Sequence, residues 1–228
     1  MTEDQSLRGL YPFLHQERQD PAQMRAALLH SVRQKAAESI AAKQRFFEAN
    51  GEAIVNAAEA IADVYRRNGR MFSMGNGGSS CDASHFAVEF LHPVTAGRPA
   101  LTAVNLACDM AMITAVGNDV GFGHIFLRQL IALARRGDGV VGFSTSGSSE
   151  NILAAFAKAK EIGVTTIALT GQDGGKMARS RDVDHCLIVP SDSIHRIQES
   201  HVTTYHILWD LVHTLLADDR GALAEVQR

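Results

Sequence analysis

The sequence predicts an α/β protein in which helices flank a parallel, five-stranded sheet on both faces. Short apolar runs of strand length alternate with amphipathic helical segments from about residue 70 onward. Two loops rich in small residues each follow an apolar run and precede a helical pattern. In such folds ligands bind at the carboxyl ends of the strands, and both loops lie at such ends.

The N-terminal part of the chain is predicted to be helical. From Pro21 to about Asn68 it is rich in Ala, Glu, Gln, Arg and Lys, with apolar residues at helical spacing. The pair Asn50-Gly51 predicts a break between two helices. Residues 1–24 are predicted to form an N-terminal extension, whose apolar residues follow neither helical nor strand periodicity and whose role the sequence does not indicate. Residues 25–217 are expected to form one domain that includes the N-terminal helices, and residues 218–228 form a charged tail.

The five predicted strands lie in the second part of the chain, and a long final helix is expected from about His195 to Leu216. The strands are expected at residues 70–74, 100–106, 139–144, 164–170 and 186–190.

Composition excludes several classes of function. The net charge of −3 is small and the basic residues are dispersed, so neither a nucleic-acid surface nor a polybasic membrane patch is expected. The three cysteines, Cys81, Cys108 and Cys186, lie far apart, as expected for reduced thiols. No apolar run approaches the ~20 residues of a membrane span, and no secretory signal is evident. The simplest expected location is the cytoplasm.

The two loops predict a site for a phosphorylated ligand. The first, residues 75–80, reads Gly-Asn-Gly-Gly-Ser-Ser, and the second, residues 144–149, reads Ser-Thr-Ser-Gly-Ser-Ser. A helix begins with unpaired N–H groups and a partial positive charge, and small residues let an anion approach that backbone. The first loop alone is equally consistent with a tight turn. The second has five hydroxyls where capping a helix needs one, which favours phosphate binding.

Histidine and carboxylate spacing suggests a second feature of the site. His85 and Glu89 stand one helical turn apart after the first loop, and the final helix carries Gln198, His201 and His206. Such residues include recognised zinc ligands, although the spacing alone is also typical of solvated pairs and core histidines. Gln198 and His206 are separated by ~12 Å of helix, so one metal reaches both only from between them or with help from another subunit.

These motifs together resemble those of the phosphoheptose isomerases, which are SIS-domain proteins, and the resemblance covers about residues 25–217. The matching segments are Gly75-Asn76-Gly77-Gly78-Ser79, Asp82-Ala83, His85-Phe86-Ala87-x-Glu89, Val116-Gly117-Asn118-Asp119, Ser144-Thr145-Ser146-Gly147, Leu169-Thr170-Gly171-x-Asp173-Gly174-Gly175 and Arg196-Ile197-Gln198-Glu199-x-His201.

The resemblance implies a flavodoxin-like sheet, a homotetramer with sites near subunit interfaces, and the interconversion of sedoheptulose 7-phosphate and a manno-heptose 7-phosphate for lipopolysaccharide or related glycans. Glu89 and His206 would form the acid/base pair. One zinc ion per subunit would be held by His85, Glu89, Gln198 and His206. The sugar phosphate would be held by Asn76, Gly77, Gly78, Glu89, Asp109, Ser144, Thr145, Ser146, Ser149 and Gln198.

Two departures from the family pattern bear on which sugar fits. Phe90-Leu91-His92-Pro93 stands where such isomerases commonly continue with a polar segment ending in arginine. His195 stands where some members carry an acid.

Two other functions remain open on the sequence. Some SIS relatives are non-catalytic tetramers that bind the bacterial replication initiator, but they lack the Glu and His found here at Glu89 and His206. The other is a sugar-phosphate sensor or an isomerase of another phosphosugar, such as a pentose phosphate. No helix-turn-helix is apparent, which disfavours a transcriptional sensor.

Overall fold

A computed structural model describes residues 21–218 and confirms the predicted α/β class. The six α-helices described here are α1 (Pro21–Arg66), α2 (Gly78–Leu91), α3 (Met110–Asp119), α4 (Ile125–Leu133), α5 (Glu150–Ile162) and α6 (Ile194–Leu215). A short 3₁₀ turn at Phe122–His124 lies between α3 and α4. The strands are β1 (Met71–Gly75), β2 (Ala103–Asn105), β3 (Gly139–Ser144), β4 (Thr165–Gly171) and β5 (His185–Val189), with a second 3₁₀ turn at Met177–Arg179.

The five strands form one parallel sheet in the order β2-β1-β3-β4-β5. This is the flavodoxin-like order that the resemblance implied, and its chain reversal falls between β1 and β3. β2 is shorter than predicted, and it is an edge strand that pairs only with β1. The other four strands and the final helix lie within one residue of their predicted limits.

The predicted break at Asn50-Gly51 is wrong, because α1 runs through it without interruption. Asn50 donates its side-chain amide to the carbonyl oxygen of Phe46 at 2.9 Å, and open space surrounds the position where Gly51 would carry a side chain. Phe46 and Ile54 are both buried on either side of the pair. Their packing outweighs the ~1 kcal/mol that a glycine costs inside a helix.

The chain divides into two compact units between Ile40 and Ala41, within α1. In the first unit, residues 21–40 form helix with almost every side chain exposed. The extension predicted at residues 1–24 lies mostly outside the described residues, as does nearly all of the tail at 218–228.

Two hydrophobic clusters lie on the two faces of the sheet. Successive side chains of a strand point to opposite faces, so Val141 joins the cluster that contains α2 and α6, whereas Val140 joins the one that contains α4 and α5. The continuous apolar sequence of β3 follows from this, because both of its faces are buried. None of the helices between residues 21 and 218 is long and apolar enough to cross a membrane.

Two leucines of α4 provide a test of the packing on the second face. Leu130 is fully buried, whereas Leu133 is 42% exposed. We expect Leu130→Ala to lower the free energy of unfolding by about 2–5 kcal/mol, because it removes buried methyl groups and leaves a cavity. Leu133→Ala should change it by less than about 1 kcal/mol. Denaturant unfolding measures both, and equal losses would contradict this description of the core.

Candidate active site

The two predicted loops leave the sheet side by side. The first follows β1 and the second follows β3, and these strands are paired with Gly75 opposite Phe143. The side chains of Asn76 and Asn151 exchange two hydrogen bonds of 2.9 and 2.8 Å between the first loop and the first turn of α5. Asn151 was not among the predicted site residues. The sequence feature that could have indicated it is a polar side chain at the start of the helix that follows β3.

The second loop is held in a tight conformation. Gly147 has a φ of +60°, and a Cβ atom there would lie 2.1 Å from the carbonyl oxygen of Gly174. Only glycine fits this turn, which explains why the loop's run of hydroxyl side chains is interrupted at this position. The hydroxyls of Ser144 and Ser149 lie 2.9 Å apart, and Ser146 is exposed.

An open cavity of ≈ 190 Å³ lies beside the first loop. Its polar wall is formed by Asn76, Gly77 and Ser80, and apolar residues that include Met110 and Phe122 line the rest. Asp109 is exposed next to this cavity lining and caps α3 by accepting a hydrogen bond of 3.0 Å from the backbone of Met112. The cavity therefore joins the first loop to the start of α3.

The packing of α2 against α6 brings together three of the predicted metal ligands. Ligand atoms from His85, Glu89 and His206 all lie within 4.8 Å of one another. His85 Nε2 lies 2.9 Å and His206 Nε2 lies 3.9 Å from Oε1 of Glu89. Imidazole nitrogen and carboxylate oxygen are the donor types that zinc takes, so this donor set fits the implied metal.

Gln198, the fourth predicted ligand, lies beside the first loop. Its side-chain amide occupies the space that a Cβ of Gly78 would need, with Nε2 2.3 Å from that position. Gly78 precedes His85 by about 10 Å of helix. The role of Gln198 in binding a metal stays a prediction, as do the individual roles of the other site residues.

His201, which the sequence also placed on the final helix, lies in the core. It is buried, and its Nε2 lies 3.1 Å from the carbonyl oxygen of Thr170 on β4. Burial lowers the pKa of His201 to about 4, partly opposed by that hydrogen bond, so the ring is neutral and anchors α6 to the sheet. The two residues that depart from the family pattern, Pro93 and His195, are half-buried and exposed, respectively.

Two aromatic residues of α6 support the ligand group and were missed by the sequence analysis. The hydroxyl of Tyr205 lies 2.7 Å from Nδ1 of His85, and Nε1 of Trp209 donates to the backbone carbonyl of Glu89 at 2.8 Å. Burial, with the nearby carboxylates of Asp82 and Glu89, raises the pKa of Tyr205, so its hydroxyl keeps its proton. In the sequence, only the position of these two residues within one helical turn of His206 connects them with the site.

The comparisons with known proteins define the class first. The SIS domain family matches residues 35–171, which is more than half of the chain, so this chain is an SIS-domain protein.

Closer relatives define the particular family. The chain is 43% identical over 197 residues to the phosphoheptose isomerase of Thermodesulfovibrio yellowstonii, covering 86% of this chain and 97% of that protein. It also resembles the solved phosphoheptose isomerases of Neisseria gonorrhoeae, named GmhA (41% identity, TM-score 0.77, 82% and 99% covered), and Francisella tularensis (38% identity, TM-score 0.78, 82% and 98% covered). This chain belongs to the phosphoheptose isomerase family, a family of enzymes.

A buried carboxyl beneath the site gives a pH-dependent prediction. Asp82 lies on α2, and its Oδ2 has no hydrogen-bond partner among residues 21–218. Burial raises the pKa of Asp82 from 3.8 to about 6, although the nearby His85 opposes part of this shift. Ionisation of Asp82 is therefore harder in the folded state than in the unfolded state. Below about pH 4 the carboxyl does not change the free energy of unfolding, and as the pH rises from about 4 to 6 it lowers that free energy.

We expect Asp82→Asn to remove this loss. The unfolding free energy of the variant, relative to that of the unmodified protein, should be higher at pH 7 than at pH 4 by about 1–2 kcal/mol. Solvent screens part of the effect and limits it to this size. Denaturant unfolding at both pH values measures the gain. A difference between the two proteins that stays constant with pH would show that Asp82 does not titrate in this interval.

Proposed function

We propose that this protein is an aldose–ketose isomerase that converts D-sedoheptulose 7-phosphate into D-glycero-D-manno-heptose 7-phosphate, for lipopolysaccharide or related heptose glycans. One observation carries the proposal: Glu89 lies between two histidines on α2 and α6, in a chain that shares 43% identity with a phosphoheptose isomerase. The non-catalytic alternative lacks this Glu and one of these His residues, so the geometry favours an enzyme.

The reaction requires proton movements that this group of side chains can perform. A base removes a proton from C1 of the ketose, the electron pair forms a C1–C2 double bond, and charge develops on the oxygen of C2. A proton is then returned to C2 while the hydroxyl of C1 loses its proton and becomes the aldehyde, and the oxygen of C2 takes up a proton and becomes a hydroxyl. We assign the carbon-bound proton to Glu89 and the oxygen-bound protons to His206, whose Nε2 lies 3.9 Å from that carboxylate.

We propose that one zinc ion per subunit is held by His85, Glu89 and His206, with Gln198 as the fourth ligand. The distances of at most 4.8 Å among the first three sets of ligand atoms support this assignment. When bound, zinc would polarise the sugar carbonyl and stabilise the negative charge that develops on its oxygen. The second carboxylate oxygen of Glu89 and the ring nitrogen of His206 that does not bind zinc would remain for proton transfer.

The phosphate end of the sugar is assigned to the two loops. The first turn of α5 supplies N–H groups and a partial positive charge, and the second loop supplies hydroxyl donors at short range. The Asn76–Asn151 pair supports the assignment because it holds the two loops together. The groups proposed to bind the sugar phosphate are Asn76, Gly77, Gly78, Asp109, Ser144, Thr145, Ser146 and Ser149.

We further propose a homotetramer, as the family resemblance implies. Within the first unit, α1 exposes large apolar side chains separated by four or eight residues, so they lie on one face, which is typical of a helix that packs against another chain. These side chains belong to Met24, Leu28, Val32 and Ile40. The mass in solution by light scattering measures the assembly, and a monomer would contradict it.

A cytoplasmic location stays a prediction that cell fractionation can check.

Substitution of the proposed base is the most direct test of catalysis. Glu89→Gln keeps the size of the side chain but removes its ability to take a proton, so we expect turnover to fall about 10²–10⁴-fold. NMR of sedoheptulose 7-phosphate turnover measures aldose formation, and zinc content is measured on the same samples. The matched control is Glu161→Gln, because Glu161 is exposed on α5 and pairs only with Lys158 among its described ion pairs.

Near-normal activity in Glu89→Gln would remove Glu89 as the base. If the unmodified protein binds the sugar phosphate but forms no aldose with zinc present, the isomerase proposal fails and a binding protein takes its place.

The phosphate assignment predicts a different kind of defect. Ser144→Ala and Ser146→Ala each remove a hydroxyl from the second loop, so we expect weaker sugar-phosphate binding by about 1–3 kcal/mol with little change in kcat. Ser180→Ala is the control, because Ser180 lies in the segment before β5, where its hydroxyl accepts a hydrogen bond of 3.1 Å from the backbone of Asp182. KM and calorimetric binding measure the effect. Unchanged affinity in both loop variants would show that the phosphate binds elsewhere.

A further inference from the structure

The hydrogen bond between Tyr205 and His85 joins residues that are 120 positions apart in the sequence. The tyrosine hydroxyl lies 2.7 Å from Nδ1 of His85, while Nε2 on the other side of the ring lies 2.9 Å from Glu89. Both nitrogens of His85 therefore have a partner. The ring is held with Nε2 facing the carboxylate and His206.

The tyrosine is fixed more firmly than the histidine it contacts. Tyr205 is 1% exposed, whereas the side chain of His85 is 42% exposed. The ring of Tyr205 packs edge-on against Phe143 of β3, with centroids 5.9 Å apart and planes at 87°. The hydrophobic core thus sets the position of the hydroxyl, and the hydroxyl in turn sets the rotation of the half-exposed imidazole.

A hydroxyl suits this position because it both donates and accepts hydrogen bonds. A neutral imidazole carries one proton. When Nε2 donates that proton to Glu89, Nδ1 accepts from the Tyr205 hydroxyl. When Nε2 gives its lone pair to a cation, the proton lies on Nδ1, which then donates to the Tyr205 oxygen. A backbone carbonyl at this position accepts only and would serve the second state alone.

The same face of α6 also fixes the turn that carries Glu89. Trp209 lies one turn after Tyr205, as Glu89 lies one turn after His85, and Trp209 Nε1 donates to the Glu89 carbonyl at 2.8 Å. Tyr205 and Trp209, one turn apart on α6, thus each form a hydrogen bond with one of two residues that are also one turn apart on α2. This match restricts sliding of one helix along the other at the ligand group.

We propose that Tyr205 is a positioning residue, which orients His85 so that its Nε2 is preformed for cation binding with Glu89 and His206. The inference rests on the metal site proposed above. It assigns Tyr205 no contact with the substrate and no proton transfer to it.

The test compares two tyrosine-to-phenylalanine variants of the full chain. Tyr205→Phe keeps the buried ring and removes only the hydroxyl, and we expect zinc affinity to fall about 10–100-fold. The matched control is Tyr65→Phe, because Tyr65 is also a buried tyrosine whose hydroxyl bonds a backbone carbonyl, that of Thr102 at 3.4 Å. Competition with a chromophoric zinc chelator measures affinity, and thermal unfolding of the zinc-free proteins shows whether each variant is folded at the assay temperature.

The outcomes separate this inference from the proposals on which it rests. If the unmodified protein binds no zinc, the metal site itself is wrong, whereas the isomerase assay tests the reaction independently. If the unmodified protein and Tyr205→Phe bind zinc equally, the metal site stands and the positioning role is overturned. An equal loss of zinc affinity in Tyr65→Phe would show that removing any buried tyrosine hydroxyl weakens zinc binding through core packing. That result would also overturn the positioning role of Tyr205.

A crystal structure of the unmodified protein with zinc is a second measurement that needs no variant. We expect zinc at Nε2 of His85 with the Tyr205 hydrogen bond retained at Nδ1. Zinc bound at Nδ1 in place of the hydroxyl would contradict the inference.

Discussion

Because β1 and β3 are neighbours in a parallel sheet, the loops that follow them leave the same edge side by side, and the candidate site is built on that juxtaposition. The chain reverses its direction of travel across the sheet between these strands, which opens a crevice at their carboxyl ends. The reciprocal amide bonds of Asn76 and Asn151 join the two sides of the crevice. Two short polar segments that are 69 residues apart thereby face one crevice, which is the surface proposed to bind the sugar phosphate.

The contact between α2 and α6 brings together the side chains proposed to bind zinc and move protons. One helix carries His85 and Glu89, and the other carries His206 with the two aromatic residues that hold the first pair in place. The buried side chains of these helices stabilise the fold, whereas His85, Glu89 and His206 are half-buried or exposed. A partly exposed imidazole next to a carboxylate is a weak interaction by itself. Its value lies in the fixed arrangement that the buried side chains of α6 impose.

The site also retains polar groups that do not favour folding. Asp82 is buried with one oxygen unpartnered, close enough to His85 for their charges to interact. Such a group costs stability when it ionises, and enzymes commonly hold such costs near their reactive groups. His201 is a related case, because its Nε2 bonds a strand carbonyl whereas its buried Nδ1 has no hydrogen-bond partner among residues 21–218.

The sequence by itself determined the fold class, the strand positions, both loops, and the family, because these depend on local periodicity, small residues at turns and ordered motifs. It predicted His85, Glu89 and His206 as one group through that family pattern. Local signals misled at Asn50-Gly51, where the burial of Phe46 and Ile54 on the same helix decided the outcome. Only the tertiary structure decided that Asn151 pairs with Asn76, that His201 is a core residue, and that Tyr205 contacts His85. These partners come from different elements, and their distances depend on how strands order and helices pack, which no local pattern encodes.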